Sequence, residues 1–256
     1  MKGYLPCVGL LVFAGSFTFV MVPDEHQAVV PSFTQPVSSL PTVVIDPGHG
    51  GNDDGCKGHG LLEKHVCLDV GLRLEKMLKS YNFPTVLTRR DDRYVSLSDR
   101  VAQANKHEEA LFVSIHFNSA TMGSISGVET FYAHEKVPQE ADWMWMGFFS
   151  KAAASTPPDR GETLAGFIQA ALVMKLDSAN RGIKTKCLYV VRHTRMPAVL
   201  VEGGFLSNAM EAQLLTNADY RDRLAAAVAE GIVSYQRTRP RGAVPSLAGA
   251  NPSSKY

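Results

Sequence analysis

One stretch of the chain, Thr42–Asp53 (TVVIDPGHGGND), limits what this protein can fold into more than any other. It begins with a β-branched apolar run, Val43–Ile45, bounded by proline and glycine, which predicts a short buried strand. This strand leads directly into a glycine-rich loop that carries a single histidine, His49. Glycines let the backbone turn sharply and approach a ligand closely. A histidine at the carboxyl end of a buried strand lies where open α/β sheets bind their ligands.

The pattern of elements after this loop predicts an α/β fold. Strands are expected over Phe83–Thr88, Ala110–His116, Gly127–Ala133, Cys187–Val191 and Pro197–Glu202. Helices are expected over Leu62–Ser80, Ser96–His107, Glu162–Leu176 and Asn217–Gln236, with Asp99 in capping-box position after Ser96. The apolar cluster Gln139–Lys151 predicts a further packed helix or, alternatively, a loop that covers the site. Because strands alternate with helices, we predict a single domain with a mostly parallel sheet covered on both faces.

The two ends of the chain differ in composition from its centre. A basic start is followed by an apolar run, which predicts either an export signal or an uncleaved membrane anchor over residues 1–22. Residues 23–41 are rich in Pro, Ser and Thr and predict a linker, and residues 239–256 predict a disordered tail. The folded domain is therefore expected to span residues 42–238. Export would place it in the periplasm or outside the cell, with membrane contact only through an uncleaved N-terminal segment.

Charge and cysteine count narrow the function only a little. A formal net charge of +1 over 256 residues gives no indication of nucleic-acid binding. The three cysteines beyond the apolar N-terminus are Cys56, Cys67 and Cys187, and their spacing is not that of a zinc ribbon. Cys56 and Cys67 could close a disulfide in an oxidising compartment. The alternative, which we favour, is that all three are small buried residues.

Three further residues resemble His49 in standing at the end of a predicted element. Glu63 lies at the start of the first helix, His116 ends the third strand and Glu202 ends the last strand. Because such ends meet in one crevice of an α/β sheet, these side chains are expected to converge with His49. Two imidazoles and one carboxylate form the ligand set of open catalytic zinc sites. We therefore predict that His49, Glu63 and His116 hold Zn²⁺ and that Glu202 is free to act as a general base.

Other polar residues near these positions have weaker signals. Asn118 follows His116 by two residues and either binds substrate or shapes its loop. His193 lies in a predicted loop before the last strand, where a substrate contact is one of two interpretations. His65 is two positions from Glu63 and so lies on a different face of the helix, which argues against it as a ligand. His59 is expected to be solvated, or to contact a metal-binding residue without binding the metal itself.

Four segments resemble, in order, the signature blocks of the zinc-dependent N-acetylmuramoyl-L-alanine amidases of the Amidase_3 type: VVIDPGHGG, LLEKHVCLDV, LFVSIHFNS and PAVLVEGGFLSN. Smaller similarities are TRRDDRYVSLSDRVAQAN, GVETFY, and RGIK followed by LYVVRHTRMP, so the resemblance covers nearly all of Thr42–Gln236. It implies a mixed, mostly parallel twisted sheet with helices on both faces. It also implies that His49, Glu63 and His116 are zinc ligands and that Glu202 is the catalytic glutamate.

The reaction implied by this resemblance is hydrolysis of the amide between N-acetylmuramic acid and L-alanine in peptidoglycan, in cell-wall remodelling or cell separation. Two departures from the family pattern concern other features. The loop Asn52–Cys56 (NDDGC) lacks the usual proline and alanine, which affects the shape of the loop. The stretch from Ala133 to Glu162 is shorter than in relatives with an autoinhibitory helix. The sequence therefore does not decide whether the chain blocks its own site or needs a protein activator.

Two other functions are compatible with parts of this pattern. A zinc peptidase acting on another cell-wall amide would use the same four residues. A non-catalytic peptidoglycan-binding module would be expected to have lost a ligand or Glu202, and this chain keeps all four.

Overall fold

The computed structural model describes residues 40–133 and 160–239, which fold around a six-stranded sheet. In chain order, the strands of this sheet are β1 (Thr42–Pro47), β4 (Thr85–Leu87), β5 (Ala110–Asn118), β6 (Val128–Tyr132), β7 (Asn180–Thr185) and β8 (Ala198–Phe205). The helices are α1 (Glu63–Ser80), α2 (Leu97–Ala104), α3 (Arg160–Leu176), α4 (Tyr189–His193), α5 (Ala209–Thr216) and α6 (Ala218–Thr238). Two short antiparallel strands, β2 (Lys57–Gly58) and β3 (Leu61–Leu62), connect the His49 loop to α1.

The strand order β4-β1-β5-β8-β6-β7 makes the sheet mixed but mostly parallel, as predicted. β1 pairs in parallel with β4 and β5, β5 pairs in parallel with β8, and β6 does so with β7. β6 pairs with β8 in the antiparallel direction. The carboxyl ends of β1, β5 and β8 therefore meet at one edge of the sheet, together with the amino ends of β6 and β7. This edge is where open α/β sheets bind ligands.

Two apolar layers cover the opposite faces of the sheet. The alternation of a strand sends Val43 and Ile45 into the larger layer and Val44 into the smaller one. The larger layer is completed by buried residues of α1, α3 and α6, and the smaller by residues of α2 and α4. The prediction of helices on both faces is thus confirmed.

The predicted strand over Cys187–Val191 is wrong. The chain forms the short helix α4 there, and Val190 and Val191 are buried in the smaller layer. A five-residue apolar run fits a buried helical turn as well as a strand, so periodicity could not separate the two. The true strand in this region is β7, the outermost strand on one side of the sheet. It is largely exposed and therefore has almost no alternation of apolar and polar residues.

The remaining differences are small. Ser96 caps α2 as predicted, since its Oγ accepts a hydrogen bond from the backbone N–H of Asp99 at 3.1 Å, but the helix ends at Ala104 and not at His107. Helix α5 was not predicted. The proposed signal or anchor, nearly all of the linker and of the tail, and the helix or covering loop at Gln139–Lys151 lie outside the described residues. Among the residues described, no helix combines the length and apolar character needed to cross a membrane.

Candidate metal centre

Two histidines and one glutamate meet at the carboxyl edge of β1 and β5. His49 follows β1, Glu63 is the first residue of α1, and His116 lies near the end of β5. One oxygen of Glu63, Oε1, lies 3.0 Å from Nε2 of His49 and 2.9 Å from Nδ1 of His116. One ligand atom from each residue lies within 4.8 Å of the other two. Three donors at this spacing can hold a metal ion.

The chemistry of these donors fits a divalent metal. The Glu63 side chain is only 5% exposed, and its carboxylate also accepts hydrogen bonds from the backbone N–H groups of Cys56 and Phe117. Burial by itself raises the pKa of Glu63, but hydrogen bonds with His116 and His49 outweigh it and lower the pKa below its ordinary value. The site therefore presents an ionised carboxylate between two imidazoles, which is the donor set of an open zinc site.

His49 is held in an unusual conformation. Its φ of 58° lies in the left-handed region, which costs a non-glycine residue about 1–3 kcal/mol unless its surroundings enforce it. Nδ1 of the ring lies 2.8 Å from Oδ2 of Asp53, so a carboxylate orients the ring and leaves Nε2 facing Glu63. Burial alone would lower the pKa of His49, but hydrogen bonds with Glu63 and Asp53 raise it above its ordinary value.

A fully buried arginine, Arg89, fixes the loop before His49. Its guanidinium donates hydrogen bonds to the carbonyl oxygens of Pro47 at 3.0 Å and Gly48 at 2.6 Å. It also donates to the carbonyl oxygen of Lys64, the residue after Glu63, at 2.7 Å. A single side chain therefore joins the strand end that carries His49 to the helix start that carries Glu63.

A second buried arginine, Arg100 on α2, holds the same backbone. It donates to the carbonyl oxygens of Pro47 at 2.7 Å and His49 at 2.6 Å, and to the carboxylate of Asp46 at 2.6 Å. Neither arginine has a role that was predicted from the sequence. Two features could have indicated that these arginines are buried. Arg89 comes directly after a predicted strand, and Arg100 is next to the apolar Val101 on a predicted helix, which is buried in the structure.

Two positions beside the candidate ligands, Gly48 and Gly55, have no room for a side chain. A Cβ atom on Gly48 would lie 2.3 Å from Cε1 and 2.4 Å from Nε2 of His116, because that imidazole ring packs directly on the Gly48 backbone. At Gly55, which has a φ of +67°, a Cβ would lie 2.5 Å from Oε2 of Glu63. The two positions allow the loop to close around the imidazole and carboxylate groups.

The departure from the family pattern at Asp54 is accommodated by ion pairs. Oxygens of Asp54 lie 2.7 Å from Nζ of Lys57 and 2.9 Å from Nζ of Lys64, and hydrogen bonds with these lysines lower the pKa of Asp54 to about 2. Lys64 also contacts Asp92 at 3.0 Å and donates to the carbonyl oxygen of Gly51 at 2.7 Å. The loop is thus tied to α1 by charge where a proline would restrict its backbone.

Cys56, Cys67 and Cys187 are free thiols, so the disulfide considered for Cys56 and Cys67 is not formed. Cys67 is buried and Cys56 is half-buried, with its Sγ donating to the carbonyl oxygen of Phe117 at 3.1 Å. Cys187 is exposed, which contradicts the expectation that all three are buried.

Glu202 lies next to the cluster but is not part of it. It is the register partner of His116 across β5 and β8 and of Glu129 across β6 and β8. Its Oε2 is buried and has no hydrogen-bond partner within the part of the chain that the structure describes. Burial raises the pKa of Glu202 well above its ordinary value, and the charges of Glu63 and Glu129 raise it further. A carboxyl with one buried oxygen that has no partner among the described residues, beside a cluster that could hold a metal, indicates a group that serves in chemistry.

The two weaker candidates lie at opposite ends of the sheet. Nδ2 of Asn118 donates to Oε1 of Glu129 at 2.8 Å, so Asn118 belongs to the carboxyl edge near His116. His193 precedes the amino end of β8, and its ring stacks on Tyr189 at a centroid distance of 4.1 Å. Glu202 lies five residues into β8 from that end. Substrate contact by Asn118 or His193 stays a prediction.

The other histidines near Glu63 are not brought to the cluster. His65 is exposed, with its Nε2 3.5 Å from a carboxylate oxygen of Asp92, and His59 is also exposed. Both placements agree with the sequence-based expectation for these two residues.

The fold and the site together define an α/β domain with a cluster that could hold a metal ion at the carboxyl ends of its parallel strands. The model of the Amidase_3 family, described as N-acetylmuramoyl-L-alanine amidase, matches residues 43–234, which is most of the chain. This protein therefore belongs to the Amidase_3 family of N-acetylmuramoyl-L-alanine amidases.

Individual relatives support this assignment. The amidase LytC of Bacillus subtilis is 39% identical over 196 residues, which cover 77% of this chain but only 36% of LytC. The crystal structure of an N-acetylmuramoyl-L-alanine amidase from Clostridium difficile 630 superposes with a TM-score of 0.68 at 32% identity, covering 79% of this chain and 100% of that one. The CwlD amidase from Clostridioides difficile, solved in complex with the GerS lipoprotein, gives a TM-score of 0.67 at 28% identity, covering 78% and 100%.

The packing of His116 on Gly48 leads to a testable prediction. In Gly48→Ala, the new Cβ would overlap the His116 ring, so the ring or the His49 loop must shift and the donors can no longer converge. We expect the affinity for Zn²⁺ to fall by roughly 10–100-fold, the range seen when the groups that orient metal ligands are lost. Titration of the metal-stripped protein with Zn²⁺ measures this change.

Gly166→Ala provides the matched control. Gly166 lies within α3, and a Cβ there would meet no atom within 4 Å. This variant should bind Zn²⁺ normally and gain up to about 1 kcal/mol in its free energy of unfolding, because alanine favours a helix over glycine. Normal Zn²⁺ affinity in Gly48→Ala would show that His116 is not positioned by this contact.

Proposed function

We propose that this domain is a zinc hydrolase that cleaves the amide between N-acetylmuramic acid and L-alanine in peptidoglycan. The observation that carries the proposal is the convergence of His49, Glu63 and His116 beside Glu202, whose buried Oε2 has no hydrogen-bond partner among the described residues. Membership of the amidase family supports the choice of bond. The site residues support a hydrolytic mechanism independently of that choice.

In this mechanism, Nε2 of His49, the carboxylate of Glu63 and Nδ1 of His116 would hold the metal. When bound at such a site, zinc acts as a Lewis acid that polarises a carbonyl and activates water. The chain contributes the arrangement of these donors. Asp53 orients His49, and the two buried arginines fix the backbone that carries it.

Glu202 acts as the proton carrier. Its carboxylate accepts a proton from the attacking water and then delivers that proton to the nitrogen of the departing L-alanine. A raised pKa suits this role, because the carboxyl must hold the proton between the two steps. Oε2 has no hydrogen-bond partner among the described residues, so no hydrogen bond has to be broken when the carboxyl takes up the proton.

The two alternative functions differ in what supports them. A non-catalytic peptidoglycan-binding module has no need of an unpartnered buried carboxyl beside three metal donors, so the geometry disfavours it. A zinc peptidase that cuts another cell-wall amide would use the same geometry. Analysis of the released products separates that alternative from the amidase, because only the amidase leaves a new amino terminus on L-alanine and a free lactyl carboxylate.

We further propose that the domain acts on the outer side of the cytoplasmic membrane, where its substrate lies. The apolar residues 1–22 would serve as the export signal or anchor. A protein partner is also part of this proposal, since the related CwlD amidase was solved in complex with the GerS lipoprotein.

Comparison of two carboxylate variants tests the mechanism. Glu202→Gln keeps the size of the side chain and removes the proton acceptor, so we expect zinc to stay bound while turnover falls by roughly 10²–10⁴-fold. Glu63→Gln replaces a charged ligand by a neutral amide, so both zinc content and turnover should fall. Zinc content and rate of peptidoglycan cleavage are measured on both proteins side by side. Loss of zinc in Glu202→Gln, with retention in Glu63→Gln, would mean that the two roles are reversed.

Export is tested separately with a reporter enzyme that is active only after translocation. The reporter is fused after Pro41, so that it carries residues 1–41 and none of the domain. We expect activity from this fusion and none from a matched fusion that begins at Pro23. Equal activity of the two fusions would refute an export role for residues 1–22.

A further inference from the structure

Two sequence motifs not used by the mechanism meet beside the metal centre. Glu129 belongs to the GVETFY motif on β6, and Arg181 and Lys184 belong to the RGIK motif on β7. Oε2 of Glu129 accepts hydrogen bonds from Nε of Arg181 at 3.1 Å and from Nζ of Lys184 at 2.5 Å. Its Oε1 accepts one from Nδ2 of Asn118 at 2.8 Å. We call these four residues the Glu129 cluster.

The Glu129 cluster lies across β8 from His116, on the same face of the sheet. Glu202 on β8 is the register partner of both His116 and Glu129. Residues paired in this way point to the same face. Because neighbouring strands lie about 4.8 Å apart, Glu129 lies about 10 Å from His116 with Glu202 between them.

The charges of the cluster do not balance. The single carboxylate belongs to a side chain that is 5% exposed, whereas the side chains of Arg181 and Lys184 are 34% and 42% exposed. Burial raises the pKa of Glu129, but hydrogen bonds with Lys184 and Arg181 outweigh it and lower the pKa below its ordinary value. One carboxylate of the cluster thus anchors two cations, and the side chains of both cations are partly exposed to solvent.

The geometry of Arg181 is fixed from a second side. Its guanidinium carbon lies 4.9 Å from the centre of the Phe205 ring, and Nη1 is 3.4 Å from the carbonyl oxygen of Ser126. A guanidinium held on an aromatic face and by a buried carboxylate loses little conformational freedom when it binds a ligand. A positioned guanidinium next to an ammonium group is suited to a carboxylate, which can accept hydrogen bonds from both.

We propose that Arg181 and Lys184 bind a free carboxylate of the peptide that is attached through the cleaved amide. This inference rests on the proposed amidase function and specifies its substrate. An extended peptide advances about 3.4 Å per residue, so a distance of about 10 Å corresponds to two or three residues beyond the cleaved bond. The subsite therefore selects peptides with an acidic group at that distance over peptides in which the group is amidated.

The test uses two soluble substrates that differ in one group. Both are N-acetylmuramoyl peptides beginning with L-alanine and D-glutamate, one with the α-carboxylate of glutamate free and one with it converted to a carboxamide. We expect the zinc-loaded full chain to favour the free acid by roughly tenfold in kcat/KM, mainly through KM, which is the scale of one charge-assisted hydrogen bond at a partly exposed site. Lys184→Met should reduce this preference several-fold, and Lys184→Arg should restore most of it.

Lys175→Met is the matched control, because Lys175 on α3 also forms an ion pair, with Glu230, and neither residue belongs to the Glu129 cluster. It should keep the wild-type preference. Equal kcat/KM for the two substrates in the wild type would overturn the subsite. So would an equal loss on both substrates in Lys184→Met, since that is the signature of a merely structural role. Failure of the wild type to cleave either substrate would instead refute the amidase function, and the subsite with it.

Discussion

The candidate metal centre depends on how the backbone from Pro47 to His49 is held by two buried arginines. The three carbonyl oxygens of this segment accept hydrogen bonds from Arg89 or Arg100. Removing two guanidinium groups from water is costly, and the cost is offset only when their N–H groups are satisfied. Arg100 is neutralised by Asp46, whereas the buried hydrogen bonds of Arg89 go to carbonyl oxygens, and burial lowers its pKa.

This arrangement couples the positions of the three donors to one another. Arg89 binds the carbonyl oxygens of both Gly48 and Lys64, so it links the residue before His49 to the residue after Glu63. The ring of His116 packs on Gly48, so the same segment of backbone also positions the third donor. Such a site is organised before a metal arrives, which favours tight binding and a fixed geometry for catalysis. The strained φ of His49 is the local price of that organisation.

Much of this arrangement could be predicted from the sequence, because each element that carries a site residue has its own local sequence pattern. The run Val43–Ile45 with its glycine-rich loop, the helix that starts at Glu63 and the strands that end near His116 and Glu202 each carry their own signal. Their convergence then follows from the rule that parallel strands end at one edge of the sheet. The overall order of elements fixed the fold class in the same way.

What could not be predicted depends on contacts between distant parts of the chain. Arg89 and Arg100 look like ordinary surface arginines until the tertiary fold buries them. The two cationic partners of Glu129 lie more than 50 residues further along the chain, and its role is visible only when β6 and β7 are paired. The strand β7 was missed because an exposed edge strand needs few apolar residues, and the apolar run that follows it is a helix.

We propose that one Zn²⁺ is held by His49, Glu63 and His116, with Glu202 outside the site. Anomalous diffraction at the zinc absorption edge, from crystals of the purified full chain, tests this claim most directly. We expect one strong peak at bonding distance from Nε2 of His49, Nδ1 of His116 and a carboxylate oxygen of Glu63, with the Glu202 carboxyl not coordinated. A peak bound by Glu202 in place of Glu63, or a peak away from all three residues, would contradict it.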